Sequence, residues 1–322
     1  MIPRFPQFKR LSIEDHEDVE AYTSKFPSYS DYNFSSLWAW DVNENRELSL
    51  LDGNLVVKFT DYASGAPFLS FLGATRPERT ASTLLEYCES LGIPPILHLV
   101  PESSVRELDS GYLHVAEDRA NFDYIYLARD LSEMTGGAYK KKRHCLNAFE
   151  KRYERLSFEV KLVTERSARG LVRAIARAWR SEREGALNER GLDYEMAAIE
   201  RMIALGKTRP MQLGFVFVEG EATSFRLEEL SNRTTSIAHF GKTAVRTKGE
   251  NEYLSRGMAR HMLGLDVTYL NWEQDLGIPT LRASKTSYAP SSFLRKFTVA
   301  RATSAGMLTP APVRSTKPSL RV

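Results

Sequence analysis

Hydrophobic and polar positions along the chain change period often enough to divide it into short elements. In the acidic stretch from Ser12 to Phe26, Ile13, Val19 and Tyr22 recur at roughly helical spacing. The segment Tyr29 to Asp41 predicts a second helix, capped by Ser30 or Asp31 and burying Phe34, Leu37 and Trp38. Apolar and polar residues then alternate over Glu47 to Leu51 and Asn54 to Thr60, and Asp52-Gly53 between them suits the tight primed turn of a β-hairpin. A strand at Pro67 to Leu72, a helix from Arg79 to Leu91 stopped by Gly92, and strands at Pro95 to Val100 and Phe122 to Leu127 follow. After Gly136-Gly137 comes a basic helix, Tyr139 to Tyr153, with Leu146, Phe149 and Tyr153 on one face.

The remainder repeats that rhythm. A strand at Phe158 to Val163 precedes helices at Ala168 to Glu184 and Tyr194 to Leu205, then strands at Met211 to Val218, Glu221 to Leu230 and Thr234 to Val245. A helix from Tyr253 to Leu263, a strand at Val267 to Trp272 and a short helix from Thr280 complete it. Helix, helix, hairpin strands, central strand, helix, strand is the order of an N-acetyltransferase-like domain, and the first half reads as a diverged copy. The expected fold is therefore α/β (α+β): two tandem N-acetyltransferase-like domains, each a mixed, mostly antiparallel sheet flanked by helices. The expected divisions are 1–135, a basic connecting helix at 136–156, a catalytic domain at 157–300 and a disordered tail at 301–322. A length of 322 residues suits two domains, at about 150 residues each.

Composition narrows the setting. With 42% hydrophobic and 26% charged residues the chain is ordinary globular protein. No apolar stretch is long enough to span a membrane, and MIPRFPQFKR does not resemble a secretory leader, so a soluble, cytoplasmic location is expected. Cys88 and Cys145 stand far apart without metal-ligand spacing, and no His, Cys and Asp pattern predicts a metal site. A net charge of +3 does not by itself indicate nucleic acid, but its distribution is uneven. Tyr139, Lys140, Lys141, Lys142 and Arg143 form a candidate RNA-binding segment, the cations for phosphates and the ring for a base. A solvated helix face is the alternative reading.

The segment NWEQDLGIPTLRASKTSYAPSSFLRKF, Asn271 to Phe297, together with HFGKTAV (His239 to Val245), GGAYKKKRHCLNAFEKRY (Gly136 to Tyr153) and YSDYNFSSLWAWD, closely resembles a bacterial family related to the C-terminal catalytic domain of phosphatidylglycerol lysyltransferases. The resemblance implies the tandem fold and kinship with enzymes that move an amino acid from aminoacyl-tRNA to a lipid, peptide or small amine. Two departures stand out. Phe240-Gly241 replaces an acidic residue that relatives often carry after the histidine, and Arg246-Thr-Lys-Gly249-Glu-Asn-Glu-Tyr253 has one glycine and two acids where acetyl-CoA enzymes of this fold place a glycine-rich pyrophosphate loop.

Aminoacyl transfer needs a proton acceptor and positive charge for the donor's phosphates. Glu273 and Asp275 are the candidate general bases; alternatively, Asp275 caps the turn at Gly277 and Glu273 pairs with Arg282. Arg282, Lys285 and Tyr288 recur at three-residue spacing and are candidate substrate contacts, with a solvated basic helix as the other reading. His239 and Lys242 on the central strand are further substrate-contact candidates, expected to face opposite sides unless a bulge intervenes. The leading expectation is transfer from aminoacyl-tRNA to an amine or hydroxyl of a small molecule, peptide or lipid. The alternatives are an acyl-CoA N-acyltransferase and a non-catalytic protein that docks RNA or an anionic surface.

Overall fold

A computed structural model describes residues 1–61, 65–108, 111–183, 189–206, 209, 211–244 and 247–302. Of the expected disordered tail at 301–322, Arg301 instead ends a strand and the residues from 303 lie outside the described ones, as do the expected strand end at Val245, Arg246 of the anion loop and the expected helix end at Glu184. The chain forms two compact units. The first comprises Met1–Asp123, Gln274–Pro279 and the described residues from Leu294, and the second comprises Tyr124–Glu273 and Thr280–Phe293.

The first unit contains β1 (Lys9–Arg10), α1 (His16–Thr23), α2 (Phe34–Ala39), β2 (Glu47–Leu51), β3 (Asn54–Thr60), β4 (Pro67–Leu72), α3 (Pro77–Ser90), β5 (Ile96–Pro101), α4 (Glu102–Val105) and β6 (Leu113–Glu117). The hairpin β2–β3 turns on Asp52 and Gly53, both with positive φ, as the primed turn requires. Against the sheet, α3 buries Ala81, Leu84, Leu85 and Cys88, positions three and four apart.

Apart from the boundary residues Asp123, Pro279 and Leu294, which count with the first unit, the second unit contains β7 (Asp123–Leu127), α5 (Ala128–Glu133), α6 (Lys140–Glu150), β8 (Leu156–Leu162), α7 (Arg166–Ser181), α8 (Glu189–Leu205), β9 (Met211–Val218), β10 (Glu221–Leu230), β11 (Thr235–Thr243), α9 (Glu250–Gly264), β12 (Tyr269–Asn271), α10 (Pro279–Thr286) and β13 (Ser292–Leu294). Its sheet runs β13-β7-β12-β11-β10-β9-β8, with β11 and β12 parallel between antiparallel neighbours. On α7, Ala168, Val172, Ile175, Ala176 and Trp179 form the buried stripe.

The last described strand, β14 (Lys296–Arg301), belongs to the first sheet, whose order is β1-β2-β3-β4-β5-β14-β6. It pairs antiparallel with β5 on one side and β6 on the other, and Val299 is fully buried there. The units are therefore discontinuous in sequence, whereas the expected divisions were consecutive. The periodicity of one short strand does not say which sheet receives it.

Beside β14, the ammonium of Lys296 is fully buried between Asp123, whose Oδ1 lies 2.7 Å away, and Asp31. Ser30 donates to Asp123 from its N–H (2.8 Å) and its hydroxyl (2.7 Å), while Gln274 Nε2 donates to Asp31 Oδ2 (2.7 Å). Nearby, burial pushes Asp118 up to about 6, against the opposing hydrogen bond from Asn121. Among the described residues no helix is long and apolar enough to cross a membrane.

Candidate active site

Parallel strands β11 and β12 pair over Thr235↔Tyr269, Ser236↔Leu270 and Ile237↔Asn271, and the pairing stops there. Ligands of α/β sheets gather beyond the carboxyl ends of parallel strands. His239 and Glu273 sit two residues past the last pair on their respective strands. The register against β10 passes from Leu227↔Phe240 to Glu228↔Ala238, so His239 is the extra residue of a bulge. Glu273 holds φ +57°, unusual for a residue with a side chain. That conformation is fixed from both sides: Asn271 Oδ1 accepts from the Glu273 N–H (2.7 Å), and the Tyr124 N–H donates to the Glu273 carbonyl (3.1 Å).

His239 Nδ1 lies 3.2 Å from Glu273 Oε1 and Nε2 lies 3.1 Å from Glu229 Oε2, with the ring fully buried. Two carboxylate acceptors at two nitrogens are satisfied together only by the imidazolium. Burial opposes that charge, but hydrogen bonds and charges from Glu229 and Glu273 outweigh it and raise the pKa of His239. Glu229 is held in turn by Arg209, through Nη2 (2.7 Å) and Nε (2.9 Å). Lys242 donates to Glu195 Oε1 (2.6 Å) with its ammonium 4.2 Å from the centre of the Trp179 ring. Burial raises the pKa of Glu195 while Lys242 opposes the rise.

A second polar group surrounds Trp272. Arg226, buried, lies 4.4 Å from the Trp272 ring centre and donates to Ser255 Oγ (3.0 Å). Lys285 donates to the Trp272 carbonyl (2.5 Å). Tyr288 is buried, its hydroxyl accepting from Asn251 Nδ2 (2.9 Å) and its ring carrying the Lys142 ammonium at 3.7 Å.

The structure thus brings Glu273 and His239 into contact and turns Lys242 to a neighbouring carboxylate. Asp275 belongs to the first unit, where its Oδ1 accepts from the Gly277 N–H (2.8 Å) and its Oδ2 from Arg119 (3.1 Å); it caps the turn. Arg282 and Lys285 lie half-buried on α10, but the helix ends at Thr286, so Tyr288 leaves their face. On the basic helix Lys140 and Lys141 are exposed, Lys142 pairs with Glu252 (3.0 Å), and Arg143 donates to the carbonyls of Met134 (2.5 Å) and Gly136 (2.7 Å). Tyr139 is buried, with its hydroxyl on the Tyr288 carbonyl (3.0 Å), so its ring is packed away from any base.

Glu229, Arg209, Glu195, Asn271 and Arg226 were not anticipated. A signal existed: the run Arg226-Leu-Glu-Glu229 puts charges on both faces of a strand flanked by other strands. Among the described residues no group of His, Cys, Asp and Glu is arranged to hold a metal ion.

The start of α9 carries the segment compared above with a pyrophosphate loop. Here Gly249 has φ +96° and packs on α6: a Cβ at this position would lie 2.3 Å from the Cys145 carbonyl oxygen. The first turn carries Glu250, buried and accepting from Thr223 Oγ1 (2.5 Å), and Glu252, paired with Lys142. Two carboxylates in the first turn and a carbonyl oxygen packed on Gly249 therefore set negative charge and dipole against an anion at this helix start.

Comparison with known proteins agrees with this architecture. A conserved protein of unknown function from Bacteroides thetaiotaomicron superposes with a TM-score of 0.78 at 24% identity, over 94% of this chain and 100% of that one. The DUF2156 C-terminal domain from Agrobacterium fabrum gives 0.60 at 12% identity, over 89% and 92%. L-PGS from Bacillus licheniformis gives 0.57 at 14% identity, over 94% and 94%. No curated protein matches the chain. The family model described as phosphatidylglycerol lysyltransferase, C-terminal, matches residues 24–300, most of the sequence. The chain accordingly belongs to that family, as an acyltransferase built from two compact units, each with a mixed sheet flanked by helices.

Proposed function

We propose that this protein transfers an aminoacyl group from aminoacyl-tRNA to an amine or hydroxyl of a small molecule, peptide or lipid, in the cytoplasm, with the chemistry in the second unit. The observation that carries the choice of donor is the start of α9. Its Glu250 and Glu252 and its contact with the Cys145 carbonyl disfavour a CoA pyrophosphate, and the family's name points to an aminoacyl donor. The acceptor nitrogen attacks the ester carbonyl carbon, Glu273 takes the proton that this nitrogen sheds, and the bond to the tRNA ribose oxygen breaks as that oxygen receives the proton from Glu273 and leaves as a hydroxyl. His239, anchored by Glu229 and Arg209, fixes the orientation of Glu273. Lys242, Arg282, Lys285 and Tyr288 complete the substrate surroundings in this reading, and exposed Lys140 and Lys141 meet tRNA phosphates. Asp275 serves the turn at Gly277 and needs no part in the transfer.

The test is incubation of the purified protein with total aminoacylated tRNA, and separately with acetyl-CoA, in the presence of a mixed-amine and phospholipid acceptor pool. Discharge of a charged tRNA that depends on acceptor supports the proposal. Acyl transfer from acetyl-CoA with no tRNA discharge refutes it.

A further inference from the structure

The second unit carries a groove remote in chemistry from the His239 cluster. It encloses about 500 Å³ between Phe158 and Val160 on β8 and Tyr253, Arg256, Arg260 and His261 on α9. Those α9 positions fall on one helical face. Its floor is set by Gly257, where a Cβ would lie 2.5 Å from the Phe158 ring, so glycine is what lets that ring pack this close to the helix. The lining contains cations and aromatic rings and no carboxylate. Arg256 is steadied by Glu150 with its guanidinium 5.8 Å from the Tyr253 ring centre. Exposed Arg260 donates to the neutral carbonyl of Ser132 (3.2 Å), a bond that leaves its positive charge in place. Burial lowers the pKa of His261, whose Nε2 lies 3.1 Å from Gln212 Oε1.

We infer that this groove receives a single-stranded RNA segment, one base against the Tyr253 ring with Phe158 as the apolar floor, and the flanking phosphates on Arg260 and Arg256. The inference rests on the aminoacyl-tRNA reading and says where the donor's RNA lies. Rings beside guanidinium groups are the recurrent platform for unpaired bases, tolerant of sequence because every base has a π-face. The groove's volume is that of a small-ligand pocket, enough for one nucleotide. An anionic lipid headgroup would use the arginines and leave the rings without a role.

The experiment is fluorescence anisotropy with the full chain and a labelled, mixed-sequence single-stranded oligoribonucleotide, at low and moderate salt. Arg260→Ala, an exposed position, should weaken binding and reduce the slope of log affinity against log salt by about 0.7, one phosphate. Tyr253→Leu, which keeps apolar packing, should weaken binding roughly fivefold or more. Wild-type affinity and slope in both variants would overturn the inference. So would a loss confined to Lys140→Ala/Lys141→Ala, which would move the RNA to α6. Binding of the wild type to phosphatidylcholine–phosphatidylglycerol vesicles, and not to the oligonucleotide, would assign the groove to lipid and overturn it too. The probe carries no amino acid, so the two proposals fail separately. Binding that depends on Tyr253 and Arg260 without any transfer sinks the function alone, and transfer with unaltered binding in both variants sinks the groove alone.

Discussion

Lys296→Met removes a buried cation from a pocket that keeps two buried carboxylates, Asp31 and Asp123, both fully shielded from solvent in their side chains. Breaking a buried ion pair from one side costs about 3–5 kcal/mol, because the remaining charge is left in low dielectric. The two carboxylates are not equally exposed to that loss. Asp123 retains two donors from Ser30, whereas Asp31 retains Gln274. Adding Asp31→Asn should therefore restore more stability to Lys296→Met than adding Asp123→Asn. Burial alone would favour the neutral amine, but Asp123 and Asp31 reverse this and raise the pKa of Lys296. A folded value above the unfolded one means the contribution is complete below the ordinary lysine pKa and fades only as pH climbs through the folded value. The assay is urea unfolding at neutral pH of the wild type, the single variant and the two doubles, read by far-ultraviolet circular dichroism. A loss below about 1 kcal/mol, the range of an exposed pair, or better rescue by Asp123→Asn, would refute the reasoning.

Four further outcomes are expected. Glu273→Gln should lower the transfer rate about 10²–10⁴-fold, the usual contribution of a general base, in a protein whose circular dichroism is unchanged; an unaltered rate removes Glu273 from the chemistry. Glu229→Gln takes away one of the two carboxylates that raise the pKa of His239, so the pH at which the imidazolium and its stabilising contribution are lost should move down, as read by proton chemical shifts of the ring; an unmoved titration contradicts the assigned contacts. Asp118, raised to about 6, binds its proton more tightly folded than unfolded, so stability should decline as pH rises from its ordinary value, about 4, to that point; Asp118→Asn should flatten this slope in pH-dependent unfolding, and a retained slope assigns it elsewhere. Gly249→Ala meets both the positive φ and the Cys145 carbonyl oxygen, and should cost about 1–3 kcal/mol in thermal unfolding; a neutral effect would mean α6 yields easily.

The elements that could be read from sequence were those with a local cause. Asp52-Gly53 and Glu219-Gly220 announce their hairpins because positive φ at the turn is a property of those residues, and α7 announces itself through a stripe that no neighbour is needed to see. The fold class followed from element order. What escaped depended on distant partners. β14 has too few residues for its alternation to declare a destination, and α5 and β6 are short pieces stabilised by packing. In the site, Glu273 and His239 were visible as candidates, but their contact needs the bulge at His239 and the positive φ of Glu273. Neither is written in spacing. Tyr139 illustrates the reverse: a tyrosine at the edge of a basic run looks available to a base, yet its hydroxyl closes on the Tyr288 carbonyl, far along the chain.

The position of β14 governs when the protein can finish folding during synthesis. The ribosome releases the first unit's helices and six of its strands early, yet a slot remains between β5 and β6, and Asp123 waits for a lysine 173 positions downstream. Until then, two sheet edges and a pair of acidic groups stay open to solvent, the kind of surface that chaperones hold and that aggregates exploit. Expression of the leading segment alone should yield an insoluble or chaperone-bound product. Supplying β14 on a separate peptide is the rational way to recover it.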